Sequence, residues 1–437
     1  MDAVHATPDQ FLHATDPHLL EAAVAANHRA FFVMRTRAVN GEVHTADGVT
    51  WTDPGVGGEP MMLFPQLAPD HAGDQLDTIV QFYRQRQPTC LVGCWSLDPP
   101  TPPDLDVRLL ARGFQSGWRP CWMWLDMQQV RMQHQTPDGL HIEVLETAPT
   151  WEAPQLPYYD RATAAIDHAL AALQPRQIWQ FVAWLGGEPI GHSTLYLTNG
   201  TLGVAGIYNV GVVPAARNRG VGKAVTAAAC RHAQTLGCRH ALLNATGERM
   251  YRQLGFERLG YGWTWWLDVA RLAARPPSRV QVLVAEAVGR GDVDALTALA
   301  AQGVIELFDA PLANTMTLLE LAAHASQPTA AEWLVRHGVT LEVLPAWDLG
   351  WKDRAIQLLA AHPELVNRQR GAMATTLLHE AVERDDPALA QVLLAAQPDI
   401  TIKDARFGGT SLDWAKHMQR TALIELIERY QANQPKA

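Results

Sequence analysis

The spacing of apolar positions predicts alternating strands and helices in the middle of the chain. Apolar residues alternate or form short runs in IWQFVAWLGG, EPIGHSTLYLT and TLGVAGIYNVGVVP, as they do in strands. Asn199-Gly200 favours a hairpin turn between the last two, because both residues tolerate positive φ. After Pro214 the apolar period lengthens to that of a helix from Val221 to Leu236, with Gly237 suited to its C-terminal end.

Three further segments continue this alternation, and two linkers bound it. HALLNA predicts a short buried strand, GERMYRQLGF a helix closed by Gly255, and YGWTWWLDV another strand. QHQTPDGL (133–140) and ARPPSRV (274–280) are polar or proline-rich, as linkers are. We therefore expect three domains, which cover residues 1–132, 137–273 and 278–437.

The first two domains carry a faint internal repeat. With a shift of 142 positions, Gly255-Phe256 falls on Gly113-Phe114, and Trp266-Leu267-Asp268 falls on Trp124-Leu125-Asp126. One offset that serves both matches indicates that the two pieces share a fold and its closing strands.

The last third of the chain has the pattern of repeated helix pairs. An alanine recurs in the first helix of each pair at intervals of 35, 24, 35 and 34, namely Ala287, Ala322, Ala346, Ala381 and Ala415. TLLHEA (376–381) and TSLDWA (410–415) are similar to the TPLHxA signature of ankyrin repeats. The resemblance implies an all-α ankyrin solenoid over 278–437, whose surface binds other proteins. A plain helical bundle is the alternative.

Composition and charge narrow the function classes. The 437 residues are 48% hydrophobic and 18% charged, which is typical of globular domains. No apolar run could span a bilayer, and we expect neither a secretory signal nor a membrane role. Five cysteines without a CxxC pair predict reduced thiols in a cytoplasmic protein without a metal site. The net charge of −10 argues against nucleic-acid binding and suits a cationic substrate.

The segment ARNRGVGKAV (216–225) has the features of an anion site. It places three cations around two glycines at the start of the predicted helix, where backbone N–H groups have no partner within the helix. Gly220 and Gly222 lack a Cβ, so that a ligand could approach the backbone. Neither the P-loop pattern nor GxGxxG is present here. We expect this loop to bind a phosphate or diphosphate.

At this loop the sequence resembles the GNAT acetyltransferase superfamily. The family's R/Q-x-x-G-x-G/A loop matches Arg217 to Gly222, the preceding VGVVP matches its fourth strand, and MYRQLGF matches its tyrosine helix. The resemblance implies a mixed, mostly antiparallel sheet with flanking helices, in two copies. It also implies acetyl-CoA with its diphosphate on the loop and its pantetheine between two splayed strands. The implied contacts are Val210, Val212, Val213, Arg217, Asn218, Arg219, Gly220, Val221, Gly222, Lys223 and Asn244.

The resemblance also assigns roles in catalysis. Tyr251 matches the acid that protonates the leaving thiolate; the alternative is a tyrosine that only packs on its helix. A backbone N–H near Val210 to Val212 would polarise the thioester carbonyl. The general base is open, because no Asp or Glu lies on the central strand. His192, Tyr208 and Asn209 are the polar candidates, a water chain could serve instead, and Glu188 is a poor candidate in a turn.

The first domain lacks these residues under the 142-residue offset. Leu109 then takes the place of Tyr251, and the loop cations and glycines are replaced by Gln75, Asp77, Gln81, Thr78 and Val80. We expect a degenerate GNAT-like copy that packs on the active one and shapes its acceptor cleft.

Three functions remain open from the sequence. The leading one is an acetyl-CoA-dependent N-acetyltransferase acting on a primary amine of a small molecule, including an antibiotic, or of a protein presented through the ankyrin surface. The second is a non-catalytic acyl-CoA sensor with the ankyrin repeats as its output. The third is a scaffold whose three domains only bind partners.

Overall fold

The computed structural model describes residues 11–55, 58–130, 135–145, 156–158, 166, 169–170, 172, 174–371 and 373–434. It divides into two compact units, Met1–Pro277 and Ser278–Ala437. None of the helices in the described part of the chain is long and apolar enough to cross a bilayer. All five cysteines are free thiols.

One mixed sheet runs through the first unit. Its strands are β1 (Glu42–Ala46), β2 (Val49–Asp53), β3 (Met61–Leu63), β4 (Val92–Asp98), β5 (Phe114–Ser116), β6 (Cys121–Asp126), β7 (His141–Leu145), β8 (Ile178–Leu185), β9 (Glu188–Leu197), β10 (Ala205–Val212), β11 (His240–Ala245) and β12 (Glu257–Leu267). Their order is β1-β2-β3-β4-β12-β6-β11-β10-β9-β8-β7, with β5 beside β12. Neighbours are antiparallel except for β3–β4 and β10–β11.

Helices connect and cover these strands. They are α1 (Pro17–Ala38), α2 (Ala72–Arg86), α3 (Leu105–Ala111), α4 (Val221–Thr235), α5 (Glu248–Leu254) and α6 (Val269–Ala274). α1 begins where the Asp16 carboxylate accepts the Leu19 N–H at 3.1 Å, and Pro17 fixes the first turn. The helix and strand sequence predicted for residues 178–267 is confirmed.

The two halves of this unit exchange their closing strands. β6 of the first half lies between β11 and the start of β12, where Cys121 pairs with Ala245 and Tyr261. The end of β12 in turn lies between β4 and β5 of the first half, where Trp266 pairs with Gly93 and Gln115. The repeated Trp-Leu-Asp segments are therefore the exchanged strands, and the sheet continues across the linker at 133–140.

In the described residues of the second unit, ten α-helices follow one another as five contacting pairs. They are α7 (Arg279–Arg290) with α8 (Val293–Ala301), α9 (Leu318–His324) with α10 (Pro328–Arg336), α11 (Val343–Asp348) with α12 (Lys352–Ala361), α13 (Leu377–Glu383) with α14 (Pro387–Ala395), and α15 (Ser411–His417) with α16 (Thr421–Asn433). The five recurring alanines lie on the first helix of each pair and are buried.

A hydrogen-bond network joins the last two helix pairs. The Thr376 hydroxyl and the His379 ring bond at 2.9 Å at the start of α13, and His379 Nε2 donates to the Gly409 carbonyl at 3.2 Å before α15. Asp404 accepts three backbone N–H groups and the Trp414 indole, which lowers the pKa of its carboxyl to about 2 despite the opposing effect of burial. These bonds tie the last two helix pairs to each other.

Candidate functional site

A glycine loop leads into α4 with its backbone N–H groups directed outward. Asn218 and Gly220 have φ of 61° and 87°, and Gly220 is the N-cap of α4. Alternation of left-handed and right-handed residues turns successive N–H groups to one side, and this arrangement binds anions. The first N–H groups of the 15-residue helix add to it, because they lack partners within the helix.

This loop forms one wall of a cleft of about 620 Å³. The opposite wall is the start of α5. The lining residues are Val212, Ala216, Arg217, Asn218, Gly220, Val221, Gly222, Lys223, Gly247, Glu248, Arg249, Met250 and Gln253. Seven of the eleven residues that the resemblance assigned to coenzyme binding therefore lie together around one cleft.

Two of the three loop cations belong to this cleft. Arg217 is held by its Nε, which donates to the Val212 carbonyl at 3.2 Å, and Lys223 donates to the Gln253 side chain at 3.1 Å. Arg219 is exposed and is not among the lining residues. The cleft thus presents these two loop cations and Arg249, beside the Glu248 carboxylate, together with backbone N–H donors.

The two glycines have different surroundings. A Cβ on Gly222 would stand 3.0 Å from the Met250 sulfur and 3.6 Å from Val212 Cγ2, so it would fill the cleft between two lining residues. A Cβ on Gly220 would meet the Gln135 carbonyl oxygen at 1.9 Å. Gly222 therefore keeps the cleft open. Gly220 instead makes room for the backbone of Gln135, which lies in the linker between the two halves.

The strands behind the loop separate as they approach it. β10 and β11 pair only at Ala205–Ala241 and Gly206–Leu242, although both strands continue toward the cleft. Between Tyr208 and Gly211 a bulge interrupts the pairing of β10 with β9, and Asn209 there has a φ of 50°. A bulge takes a residue out of the regular ladder. The gap matches the splayed strands that the family resemblance implies.

The remaining residues assigned to the coenzyme lie outside the cleft lining. Val210 and Val213 pack against the buried Ala216, Val221 and Val225 and so support the loop from behind. Asn244 on β11 pairs with Trp122 of the exchanged strand β6.

Tyr251 lies in the core beside the cleft. Its ring is 6% exposed and contacts Phe256 at 5.9 Å between centroids. Burial, and then the neighbouring Tyr158 phenol, raise the pKa of Tyr251. The hydroxyl therefore stays protonated at neutral pH and can donate a hydrogen bond or proton.

The candidate bases are engaged in structural contacts. His192 Nε2 lies 2.5 Å from the Pro157 carbonyl and donates to it, and burial lowers the pKa of this imidazole. The Tyr208 hydroxyl donates to the Asn27 side chain at 2.6 Å, and its ring stacks on Phe31. Burial raises the pKa of Tyr208, so the phenol stays protonated at neutral pH and the basic phenolate is not available. Glu188 is exposed beside a glycine turn, as expected.

The counterpart of the loop in the first half lies seven residues from the expected position, so the 142-residue register was wrong there. Gln75, Asp77, Thr78, Val80 and Gln81 are inside α2, which begins at Ala72. Ala72 precedes Trp124 by 52 residues, whereas Val221 precedes Trp266 by 45. Much of the extra length is the proline-rich connection before α3. The aligned positions of Gly222 and Lys223 are therefore Gly73 and Asp74.

Reasoning from the sequence missed several residues of the site. Glu248, Met250 and Gln253 line the cleft because α5 begins there, a consequence that the predicted helix could have indicated. Tyr158 near Tyr251 had no local signal, since only the folded chain brings residues 156–158 onto β9 and β10. Among the described residues, no group of three or more His, Cys, Asp or Glu side chains could hold a metal ion.

Comparisons with known proteins were made on sequence and structure. Residues 141–256 match the model of the "Acetyltransferase (GNAT) family". No curated protein sequence matches the chain. A GCN5-related N-acetyltransferase from Kribbella flavida is similar in structure, with 16% identity, a TM-score of 0.44, and coverage of 56% of this chain and 94% of that one.

Two other solved structures are similar over about half of this chain. A tandem GNAT protein from the clavulanic acid biosynthesis pathway has 13% identity and a TM-score of 0.38, covering 51% of this chain and 78% of its own. A GCN5-related N-acetyltransferase from Sphaerobacter thermophilus has 17% identity and a TM-score of 0.38, covering 51% and 77%. The match to the acetyltransferase family model thus covers β7 to β11, α4 and α5, together with the residues that line the cleft.

Proposed function

We propose that this protein is an acetyl-CoA-dependent N-acetyltransferase that transfers an acetyl group to a primary amine. The observation that carries the proposal is the cleft at the start of α4, where Arg217, Lys223 and the helix N–H groups surround a space that a Cβ on Gly222 would fill. This donor set suits a diphosphate, and the gap between β10 and β11 suits a narrow chain.

In this proposal the protein mainly positions its substrates. Bound acetyl-CoA supplies an activated thioester, which an amine attacks directly in a ternary complex. The bulge at Asn209 interrupts the regular ladder of β10, and in this proposal a backbone N–H of that strand polarises the thioester carbonyl. Tyr251 is protonated at neutral pH, because burial raises its pKa. It donates its proton, or a hydrogen bond, to the departing sulfur.

Titration calorimetry with acetyl-CoA tests the coenzyme site. Arg217→Ala and Lys223→Ala should each weaken binding by roughly 10- to 100-fold, because each removes a charge-assisted hydrogen bond. Arg231→Ala is the matched control, since Arg231 is an exposed cation on the same helix outside the cleft lining. Equal affinities for all four proteins would reject this site.

Mass spectrometry tests the transfer itself. The full chain would be incubated with acetyl-CoA and either a library of small amines or a protein lysate. Acetylated small amines or acetylated lysines support the enzyme and reveal which kind of acceptor it uses. Coenzyme binding without any acetylated product would favour the alternative, an acyl-CoA sensor.

We propose further that 278–437 is an ankyrin-repeat stack that binds a protein partner. The five helix pairs, the Thr376–His379 contact and the bond from His379 to Gly409 support this assignment. His379→Leu should lower the free energy of unfolding by about 1–3 kcal/mol, since it removes two hydrogen bonds of the ring, to the Thr376 hydroxyl and to the Gly409 carbonyl, at roughly 0.5–1.5 kcal/mol each. Calorimetric unfolding of the intact protein would measure the change.

A further inference from the structure

An exposed tyrosine stands beside the proposed reaction centre on a firmly anchored segment. Leu156, Pro157 and Tyr158 are the residues of this segment. Leu156 is 3% exposed, whereas the Tyr158 side chain is 62% exposed. A buried aliphatic residue two positions before an exposed aromatic ring fixes the chain while leaving the ring free for a ligand.

The Pro157 carbonyl attaches this segment to the central strands. It accepts the hydrogen bond from His192 Nε2 at 2.5 Å. It also lies where a Cβ on Gly211 would be only 2.7 Å from its oxygen. His192 and Gly211 are paired across β9 and β10, immediately beside the bulge. The segment is therefore held at the place where the thioester carbonyl would lie.

The backbone of Tyr158 is strained. Its φ of 61° is rare for a bulky residue, and such conformations persist where the surroundings impose them. The phenol is close enough to that of Tyr251 to raise the pKa of Tyr251. Position and strain together place an exposed ring within electrostatic range of the proposed acid.

We infer that Tyr158 is the acceptor-binding residue, and that its ring selects primary amines carried on an aromatic or apolar body. This inference rests on the proposed function. The amine arrives as an ammonium, which an aromatic face attracts, and an aryl body gains additional stacking on the ring. An amine on a small polar body gains only the first of these contacts.

The test compares phenethylamine with ethanolamine as acceptors, by release of free CoA from acetyl-CoA. The intact protein should show kcat/KM at least about 10-fold higher for phenethylamine, a value expected from stacking together with apolar burial. Tyr158→Ala should remove most of this preference, chiefly through KM, and Tyr158→Phe should keep it. Phe407→Ala, which removes a ring exposed to 69%, is the control and should change nothing.

A second pair of variants tests the anchor. His192→Leu removes the donor to Pro157 and should raise KM for phenethylamine while leaving acetyl-CoA affinity unchanged. His192→Gln keeps a side-chain N–H and should restore KM; loss of kcat in both variants would make His192 a base and overturn its role as anchor.

The outcomes separate this inference from the function on which it rests. Equal kcat/KM for the two amines, transfer to neither, or an unchanged preference in Tyr158→Ala would overturn the assignment of Tyr158. Each of these results leaves the coenzyme site intact as long as calorimetry detects acetyl-CoA binding. Absence of that binding would instead refute the proposed function.

Discussion

From β1 in the first half and from β8 in the second, the two halves share an order of three strands, a helix, a strand and a helix ahead of the closing strands, but they differ at the place where the second half has its cleft. In the second half, β10 and β11 separate after two paired residues. In the first half, β3 pairs with β4 along all three of its residues, and a Cβ on Gly93 would lie 2.4 Å from the Met61 sulfur. Beyond this ladder the first half stays joined, because the Phe64 N–H donates to the Trp95 carbonyl at 2.7 Å and Gln66 forms a bridge with Thr101. Backbone hydrogen bonds thus close the place where the second half has its gap.

A cleft of about 620 Å³ also lies at the start of α2, but its described lining includes Asp47 and Asp74 and neither lysine nor arginine. Two arginines near it are engaged with backbone carbonyls instead. Arg108, which is 7% exposed, donates to the Pro69 carbonyl at 3.0 Å, and Arg112, which is 3% exposed, donates to that of Gly73 at 3.1 Å. The Gln66 N–H donates to the Gly48 carbonyl of the β1–β2 turn at 2.8 Å. Asp74 then stands where the second half has Lys223. One fold therefore keeps or loses an anion site through the charge of a few side chains that line the same place.

This comparison predicts one coenzyme site for each chain. Residues 1–132 contain β4 and β6 but not β12, which pairs with both, so an isolated fragment would lack part of its own sheet. The stoichiometry should instead be measured on the intact protein.

The largest expected effect comes from Tyr251. Tyr251→Phe should lower kcat by roughly 10²–10³, the lower part of the range for general acid catalysis, because burial makes this phenol a weak acid. The first half has Leu109 at the aligned position, fully buried, so it offers no substitute proton donor. Turnover of the purified variant measures the effect, and acetyl-CoA affinity should stay within about twofold. Unchanged kcat would leave Tyr251 as a packing residue.

A matched pair of glycine variants tests the difference between the halves directly. Gly222→Val should weaken acetyl-CoA binding by roughly 10- to 100-fold, since its side chain would fill the cleft and crowd Met250. Gly73→Val, at the aligned position, meets only the Arg112 and Arg108 side-chain ends at 3.3 and 3.6 Å. It should leave the affinity unchanged. Calorimetry measures the acetyl-CoA affinity of both variants, and circular dichroism checks that each variant is folded. Equal losses would mean that the two clefts are equivalent.

Local patterns predicted the elements of the second half well. The helix at Val221 and the strands around it follow from apolar period, turn residues and a helix-ending glycine, all of which act over a few positions. The anion site could also be recognised from the sequence, because glycines and several cations at the start of a helix are typical of such a site. Seven of the assigned coenzyme residues do line one cleft.

Long-range features were beyond the sequence. The exchange of β6 and the end of β12 could not be read from it, since both segments carry the same Trp-Leu-Asp pattern and either partner would satisfy it. The loop register failed because the connection from Pro99 to Asp104 has no counterpart of equal length. Tyr158 is brought near Tyr251 only by the tertiary fold, because the two residues are far apart in the sequence.

The smallest expected effect concerns a histidine at the junction of the two halves. His28 on α1 is 3% exposed and touches Trp95, Trp122 and Tyr208, which lie on β4, β6 and β10. Neither of its ring nitrogens has a hydrogen-bond partner in the described part of the chain. Burial lowers the pKa of His28 from 6.5 to about 3.

Because the folded pKa lies below the unfolded one, His28 favours the folded state fully above pH 6.5, and this contribution is lost as the pH falls toward 3. At pH 5.5 the loss should be about 1.4 kcal/mol relative to pH 8. His28→Phe carries no such group, so its free energy of unfolding should fall less over that range. Urea unfolding of both proteins at the two pH values isolates the difference, in which other titrating groups cancel. If the free energies of unfolding of the two proteins changed equally with pH, water or a counter-charge would have to reach His28. The core at the junction of the two halves would then not be dry.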